Sequence, residues 1–300
     1  MRVIAIFGPT ATGKTAVAVE LADRLRAREE APAAISCDAL QVYRGLEALT
    51  GAPTEAERAR LDHRLVAITE PTEEFSAGRF AALARREIDS LLVAGRRPIV
   101  VGGTGLYLRA ALSDLELRPP VPAAVRAEVE AEVAAAGPEA LHRELEPAVA
   151  AGVHPHDRKR IARALELQRA GLEPPPADGG ELWTARLRHP TLLVGLVVDR
   201  DELAARIDRR VESMVAAGAV AEVRRADAAG ASRTARAALG FDELRRGDVG
   251  ATKREHRRYA RRQLTWLRRL EDVHLVDRTG RGDDRVADEI LALLDDNGPP

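Results

Sequence analysis

Residues 8–15 read Gly8-Pro9-Thr10-Ala11-Thr12-Gly13-Lys14-Thr15 and directly follow the apolar run 3–7. This is the pattern G-x-x-x-x-G-K-[ST] at the end of a strand, the phosphate-binding loop (P-loop) called Walker A. Its glycines let several backbone N–H groups converge on one anion, and the helix that begins near Lys14 directs its positive end there. Lys14 provides a mobile cation, and the Thr15 hydroxyl is suited to hold Mg²⁺. The segment therefore predicts a site for a di- or triphosphate.

The composition narrows the class of protein. The chain has 300 residues, of which 45% are hydrophobic, enough for the core of one large domain or two modest ones. Its formal net charge of −1 provides no overall attraction to nucleic acid or membranes. Cys37 is the only cysteine, which excludes a disulfide framework and a cysteine-based zinc site. With no apolar run of about 18 residues and no room for a signal peptide before the first strand, we expect a cytoplasmic protein that does not bind membranes.

Apolar runs alternate with helical patterns along much of the chain. The second run ends at Asp38, and the third ends in Gly102-Gly103-Thr104-Gly105. Strands are expected at residues 3–7, 33–36, 98–101, 192–198 and 274–276. Continuous apolar strands between helices are typical of a parallel sheet covered on both faces. We therefore predict an α/β fold, a P-loop parallel sheet with helices on both faces, in which the strand that ends at Asp38 lies beside the P-loop strand.

This alternation stops between Pro119 and His189. Prolines interrupt the chain at 119–122, and the next residues have helical patterns at 123–136, 139–149 and 158–170, followed by a Pro- and Gly-rich loop at 174–180. The pattern predicts a helical insertion domain. We expect the first part of the P-loop core at 1–118, the helical insertion at 119–190, and the completion of the core at 191–300 with a long helix at 253–270.

Two strand ends carry residues suited to chemistry. Asp38 follows the second strand, at the edge where parallel α/β sheets bind ligands, and a carboxylate there can act as a general base or hold Mg²⁺ through water. The third strand ends in glycines and Thr104 rather than in the acid that a motor ATPase needs, which argues against nucleotide hydrolysis as the main task. We interpret these glycines as points where a ligand approaches the backbone closely, and Thr104 as a hydrogen-bonding group.

Two helices are far more basic than the rest of the chain. One begins with Arg158–Arg163, and the other, residues 252–269, carries eight basic residues against the single acid Glu255. The aromatic residues of the second helix, Tyr259 and Trp266, are seven positions apart and share a face. This charge density favours binding of a nucleic-acid backbone.

Together these segments resemble the bacterial tRNA dimethylallyltransferases, also called tRNA isopentenyltransferases, over nearly the whole chain. The matching segments, in family order, are residues 8–15, 35–45 (ISCDALQVYRG), 74–80 (EFSAGRF), 98–108 (PIVVGGTGLYL), 154–166 (HPHDRKRIARALE) and 259–268 (YARRQLTWLR). The resemblance implies transfer of a dimethylallyl group from dimethylallyl diphosphate to the N6 amine of the adenosine just 3′ of the anticodon, with release of diphosphate. It also implies that this base leaves its stack to enter a pocket.

The resemblance assigns roles to individual residues. The P-loop residues, with Lys14 as a catalytic cation and Mg²⁺ on Thr15, would stabilise the diphosphate leaving group. Asp38 would take the proton from the adenine amine, and Thr104 would hydrogen-bond at the reacting centre. The residues expected to bind the anticodon stem-loop of tRNA are Asp38, Ala39, Leu40, Gln41, Thr104, Arg126, Lys159, Arg160, Ile161, Ala162 and Arg163. We expect a monomer.

The chain departs from the family pattern at several auxiliary positions. Ala39 replaces the serine that follows the family's aspartate, and residues 50–53 (TGAP) lack the lysine of the family's G-T-A-K-P segment. The family's double histidine is replaced by Asp62-His63. These changes concern contacts around the diphosphate and the tRNA rather than the reacting groups.

Three other functions are compatible with parts of the sequence. A P-loop small-molecule kinase explains residues 1–110 equally well, but not the helical insertion or the second basic helix. A transferase that prenylates a free adenine nucleotide needs no tRNA-binding insertion either. A nucleotide-gated RNA-binding module would need no Asp38 and Thr104 at the ligand edge of the sheet.

Overall fold

The fold is described from a computed structural model for residues 1–115, 117–173, 182, 184 and 186–296. The chain forms two compact units: the sheet unit, made of Met1–Asp114 and Ala185–Pro300, and the helical unit, Leu115–Thr184. The predicted boundaries at 119 and 190 lie a few residues C-terminal to the corresponding limits of the helical unit. The loop predicted at 174–180 lies outside the described residues.

A parallel sheet of six strands forms the centre of the sheet unit. Its strands are β1 (Val3–Phe7), β2 (Pro32–Ser36), β3 (His63–Arg64), β4 (Arg97–Gly102), β5 (Thr191–Val197) and β6 (Val273–Asp277). They are arranged in the order β3-β2-β4-β1-β5-β6, and every pairing is parallel. All five predicted strands are present. The edge strand β3 was not predicted, because two residues are too few to form a recognisable pattern.

The predicted neighbour of the P-loop strand is wrong. β4, and not β2, lies beside β1, since Ile99 is opposite Ile4 on one side and opposite Ala34 on the other. β4 is buried along its whole length, as is expected for a strand with neighbours on both sides and helices on both faces. The end of β4 at Gly102 therefore lies between the P-loop and the end of β2.

Fifteen helices are present among the described residues. They are α1 (Lys14–Arg26), α2 (Glu47–Thr50), α3 (Glu55–Arg60), α4 (Ala77–Val93), α5 (Gly105–Leu112), α6 (Ala123–Ala136), α7 (Pro138–His142), α8 (Pro147–Ala150), α9 (Arg158–Arg169), α10 (Arg200–Ala216), α11 (Ala219–Ala228), α12 (Arg233–Arg236), α13 (Phe241–Arg245), α14 (Val249–Leu267) and α15 (Asp283–Asp296). Among these residues no helix is long and apolar enough to cross a membrane.

Two of the predicted helices differ from the structure for local reasons. The predicted helix at 139–149 is two short helices, α7 and α8, because Pro147 has no N–H to donate within a helix and instead begins a new one. The long C-terminal helix α14 begins four residues earlier than the predicted position 253. Its start is fixed by Asp248, whose carboxylate accepts the N–H of Ala251 at 2.7 Å.

The side chains of β1 point alternately to the two faces of the sheet, and the core of the sheet unit accordingly has two layers. Ile4 and Ile6 pack with α1 and α15 on one face of the sheet. Ala5 and Phe7 pack on the other face, with residues of α4, α5, α11 and α13. Because successive side chains of a strand point to opposite faces, a strand that is apolar throughout requires this double cover.

The helical unit has its own core. Val129, Val133, Leu141, Ile161 and Leu165 pack together from α6, α7 and α9. Ile161 is fully buried, so its side chain is not available to tRNA, and its expected role as an RNA contact is wrong. The face of α9 that carries Ile161 and Leu165 is the packing face of that helix.

We predict that Ile161→Val lowers the free energy of unfolding by about 0.5–1.5 kcal/mol, as expected for the loss of one buried methylene. The affinity of the folded protein for tRNA should be unchanged. Chemical denaturation and a filter-binding assay measure the two quantities, and Lys159→Ala, a change at an exposed neighbouring residue, provides the comparison. Weaker tRNA binding by Ile161→Val at unchanged stability would contradict this assignment.

Candidate active site

The P-loop forms the turn between β1 and α1 and binds its own lysine. Nζ of Lys14 donates hydrogen bonds to the carbonyls of Gly8 (2.9 Å) and Pro9 (2.7 Å). Gly13, with a φ of 80°, precedes α1 in the left-handed region and provides no side chain to cap the helix. The first-turn N–H groups of α1 therefore have no side-chain cap, which is the arrangement that binds an anion.

A cavity of about 430 Å³ opens beside the P-loop. It is lined by side chains from α10 and α14, by Lys14 and Thr15, by Asp38, Leu40 and Gln41 after β2, and by Gly102 and Gly103 after β4. The structure thus brings Asp38 and five of the eight predicted phosphate-binding residues to one cavity, whereas Gly8, Pro9 and Thr12 are not in its lining. Thr104 is not part of the lining. Its hydroxyl is hydrogen-bonded to that of Tyr259, which does line the cavity.

Asp38 is held in a defined orientation at this cavity. One of its carboxylate oxygens, Oδ1, accepts the N–H of Leu40 at 2.9 Å, which closes a tight turn directly after β2. The side chain is half-buried. Since the turn occupies Oδ1, Oδ2 is the oxygen left to act on a ligand.

Gln41 lines the cavity, but both ends of its amide are already bonded within the protein. Its Oε1 accepts the hydroxyl of Ser36 at 2.8 Å, and its Nε2 donates to the carbonyl of Gly51 at 3.2 Å. Recognition of a base by this side chain would require these bonds to be exchanged. Ala39, the other residue after Asp38, does not line the cavity.

Packing within the protein gives a second reason for the glycines after β4, two of which, Gly102 and Gly103, line the cavity. We interpreted them as points of close approach for a ligand, and a Cβ on Gly102 would also overlap the carbonyl of Cys37. A Cβ on Gly103 would overlap Gln263, and one on Gly105 would overlap the ring of Trp266. The neighbouring strand end and α14 therefore also approach these glycines closely.

One face of α14, which carries two aromatic residues, packs against other parts of the site. Tyr259, Gln263 and Trp266 follow the helical spacing of one face, and this face lies on the P-loop and the turn after β4. Both aromatic side chains are half-buried, and Tyr259 also lines the cavity. The arginines on the remainder of the helix, including Arg261 and Arg262, are exposed.

Arg210 is a site residue that the sequence analysis missed. It extends from α10 to the cavity, where its Nη2 donates to the carbonyls of Thr50 (3.3 Å) and Gly51 (3.4 Å). Among the described residues no carboxylate lies within ion-pair distance of it. Burial lowers the pKa of Arg210, and the charge of Asp38 opposes this change. In a chain rich in arginine, no sequence pattern distinguishes this one.

Two basic side chains, Lys14 and Arg210, line the cavity together with the acidic residues Asp38, Glu47 and Glu57. Burial lowers the pKa of Lys14 to about 7, the nearby charge of Arg210 lowers it further, and Asp38 raises it. His256, also in the lining, has its pKa lowered to about 4 by burial, so it is neutral at physiological pH. Because burial disfavours the charged forms of Lys14 and Arg210, a polyanionic ligand beside them would stabilise both charges.

The donors at the cavity fit a magnesium ion that is bound together with phosphate. The Thr15 hydroxyl and the Asp38 carboxylate both belong to the lining, and hard oxygen ligands of this kind suit Mg²⁺. The described residues contain no group of three or more His, Cys, Asp or Glu side chains that could hold a metal ion alone. Phosphate oxygens and water would therefore complete the coordination.

Two of the arginines expected to bind tRNA hold the helical unit together. Arg163 donates to the carbonyl of Pro119 at 2.8 Å and to the buried carboxylate of Glu166 at 3.0 Å. Arg126 lies 3.9 Å from the same carboxylate. Lys159 and Arg160 are exposed, and Ala162 is half-buried. Lys159 and Arg160 are therefore the residues of this set best placed to reach an RNA backbone.

Two family models match the chain. The IPP transferase model matches residues 41–270, and the isopentenyl transferase model matches residues 1–73. The P-loop and the cavity residues from α10 and α14 are thus all within matched segments.

Relatives of known name match over nearly the full length. The tRNA dimethylallyltransferase of Kineococcus radiotolerans is 40% identical, covering 97% of this chain and 96% of its own. That of Anaeromyxobacter dehalogenans is 42% identical over 91% of this chain and 94% of its own. The crystal structure of a tRNA isopentenylpyrophosphate transferase from Bacillus halodurans superposes with a TM-score of 0.71 at 34% identity, covering 98% of this chain and 96% of that one. The chain belongs to the IPP transferase family.

Proposed function

We propose that this protein transfers a dimethylallyl group from dimethylallyl diphosphate to the N6 amine of the adenosine just 3′ of the anticodon in tRNA, releasing diphosphate. The observation that carries the proposal is a single cavity in which a P-loop, Lys14 and Arg210 face the carboxylate of Asp38. The family membership supports it, as do relatives that are named tRNA dimethylallyltransferase.

The positive side of the cavity would stabilise the leaving group. As the allylic carbon–oxygen bond breaks, negative charge accumulates on the diphosphate. The N–H groups of the P-loop and the cations Lys14 and Arg210, which line the same cavity, would bind this charge more tightly in the transition state than in the ground state. Mg²⁺, held by the Thr15 hydroxyl and phosphate oxygens, would neutralise part of the same charge.

Asp38 would serve the acceptor. The adenine amine forms a bond to the allylic carbon and must lose one proton, which Oδ2 of Asp38 can take while Oδ1 stays bonded to Leu40. Thr104, bonded to Tyr259 at 3.3 Å between the two hydroxyl oxygens, would hydrogen-bond near the reacting amine. An adenine in a stacked anticodon loop must swing out to reach these groups.

The tRNA backbone would be bound by exposed basic residues, above all Lys159 and Arg160 of the helical unit. The small-molecule kinase is the weaker alternative, because it explains neither the helical unit nor the second basic helix, and the family model extends over both basic helices. We further propose that the protein acts as a monomer in the cytoplasm, where its tRNA substrate is found.

Incubation of the purified protein with radiolabelled dimethylallyl diphosphate, Mg²⁺ and unmodified tRNA whose anticodon ends in A tests the proposal. Label should appear in the tRNA and not in a free adenine nucleotide offered in parallel. Failure to label tRNA, together with ATP-dependent phosphorylation of a small metabolite, would favour the kinase.

Asp38→Asn should lower kcat by at least about a hundredfold, because the amide cannot accept the proton. The amide oxygen can still accept the N–H of Leu40, so the turn should persist and tRNA affinity should be nearly unchanged. Single-turnover transfer and tRNA binding measure the two effects. If binding collapsed while turnover of the bound complex survived, Asp38 would be an RNA contact and not the base.

Arg160→Ala should weaken tRNA binding and reduce the slope of log affinity against log salt concentration by about one. Arg285→Ala removes an exposed arginine from α15 in the sheet unit and provides the matched control, which should leave both quantities unchanged. Equal losses in the two variants would indicate a nonspecific effect of net charge and contradict the assignment.

The pKa of Lys14 predicts a pH dependence of diphosphate binding. Lys14 is charged below about pH 7, and at higher pH it must take up a proton before it can bind the anion as a cation. The affinity for inorganic pyrophosphate should therefore fall as the pH rises, by up to about tenfold per pH unit. Lys14→Arg keeps its charge and should lack this component, and the titration of pyrophosphate cancels in the comparison. Calorimetric profiles of the two proteins that run parallel from about pH 6 to about pH 9 would contradict the prediction.

A further inference from the structure

Gln263 joins two segments of the site that are far apart in sequence. It lies on α14 and is 3% exposed. Its Oε1 accepts the N–H of Thr10 in the P-loop at 2.8 Å, and its Nε2 donates to the carbonyl of Gly103 after β4 at 2.9 Å. The single amide therefore connects the loop for the diphosphate to the turn that carries Thr104.

Each end of this amide fixes a segment that needs support. Thr10 precedes Ala11, whose φ of 66° lies in the left-handed region that a residue with a Cβ adopts only at an energetic cost. Gly103 precedes Thr104, the residue expected at the reacting centre. A Cβ on Gly103 would overlap Nε2 of Gln263 and would lie 3.1 Å from the carbonyl oxygen of Gly8, so the two segments meet without any intervening side chain.

We propose that Gln263 is a positioning residue that sets the spacing between the diphosphate-binding loop and the acceptor side of the site. The inference rests on the proposed function, in which the P-loop holds the donor and the turn after β4 places Thr104 beside the acceptor. Gln263 acts through its two backbone contacts. Loss of such a constraint lets the reacting atoms drift apart, and a misplacement of about 1 Å can cost about a hundredfold in rate.

Two substitutions separate positioning from packing. Gln263→Met keeps the length of the side chain and removes both hydrogen bonds. We expect it to lower kcat for prenyl transfer at least about tenfold, with KM for tRNA within about twofold of the parent, and to weaken binding of inorganic pyrophosphate several-fold.

Gln263→Glu provides a conditional rescue. A protonated carboxyl can still accept the N–H of Thr10 and donate to the carbonyl of Gly103, whereas a carboxylate would repel that carbonyl. The activity of this variant, relative to the parent, should therefore rise as the pH falls. A purely structural role would not produce that pH profile.

Ile290→Val, a truncation in the core between α15 and the opposite face of the sheet, controls for general loss of stability. It should leave kcat unchanged. The positioning role is overturned if Gln263→Met keeps kcat within about twofold of the parent, or if Ile290→Val loses as much activity at equal loss of melting temperature. If the unsubstituted protein labelled no tRNA, the proposed function would be refuted but the role of Gln263 would still be testable. The pyrophosphate affinity of Gln263→Met measures whether the Gln263 side chain supports the P-loop.

Discussion

The active site depends on the packing of one face of α14 against two backbone turns. Gln263 bonds to Thr10 and Gly103, Tyr259 bonds to Thr104, and Trp266 lies against Gly105. These contacts require a helix near the C-terminal end of the chain to close over a loop near its start. Only glycine fits at Gly103 and Gly105, two of the three contact points after β4. The residues of this turn and those on the facing side of α14 therefore depend on each other.

The electrostatics of the cavity follow from this enclosure. Burial destabilises the charges on Lys14 and Arg210, and Asp38 compensates only in part. A bound diphosphate would add negative charge beside these two cations. Once the diphosphate has left, the charges on Lys14 and Arg210 would again be only partly compensated. The same P-loop that other proteins use to transfer a phosphoryl group can in this way stabilise a diphosphate that leaves as a whole.

Much of the fold could be predicted from the sequence, because strands buried on both faces must be continuous apolar runs. The order of the strands in the sheet could not be predicted, because the sequence gives the order of the strands along the chain but not which strands pair. For this reason β4 was not placed between β1 and β2. At the site, the P-loop and Asp38 were visible as motifs. Arg210 was not, because an isolated arginine on a helix has no signature. The burial of Ile161 could have been deduced from its helical spacing with Leu165, which marks the apolar face of α9.

The central claim is that the P-loop holds a leaving group and that the bond broken is carbon–oxygen. It is tested most directly with dimethylallyl diphosphate that carries ¹⁸O at the oxygen bridging carbon and phosphorus, incubated with the protein, Mg²⁺ and unmodified tRNA. Mass spectrometry should find all of the ¹⁸O in the released diphosphate and one dimethylallyl group on each modified adenosine. Retention of ¹⁸O by the prenyl group, with phosphate appearing on an acceptor, would contradict the account.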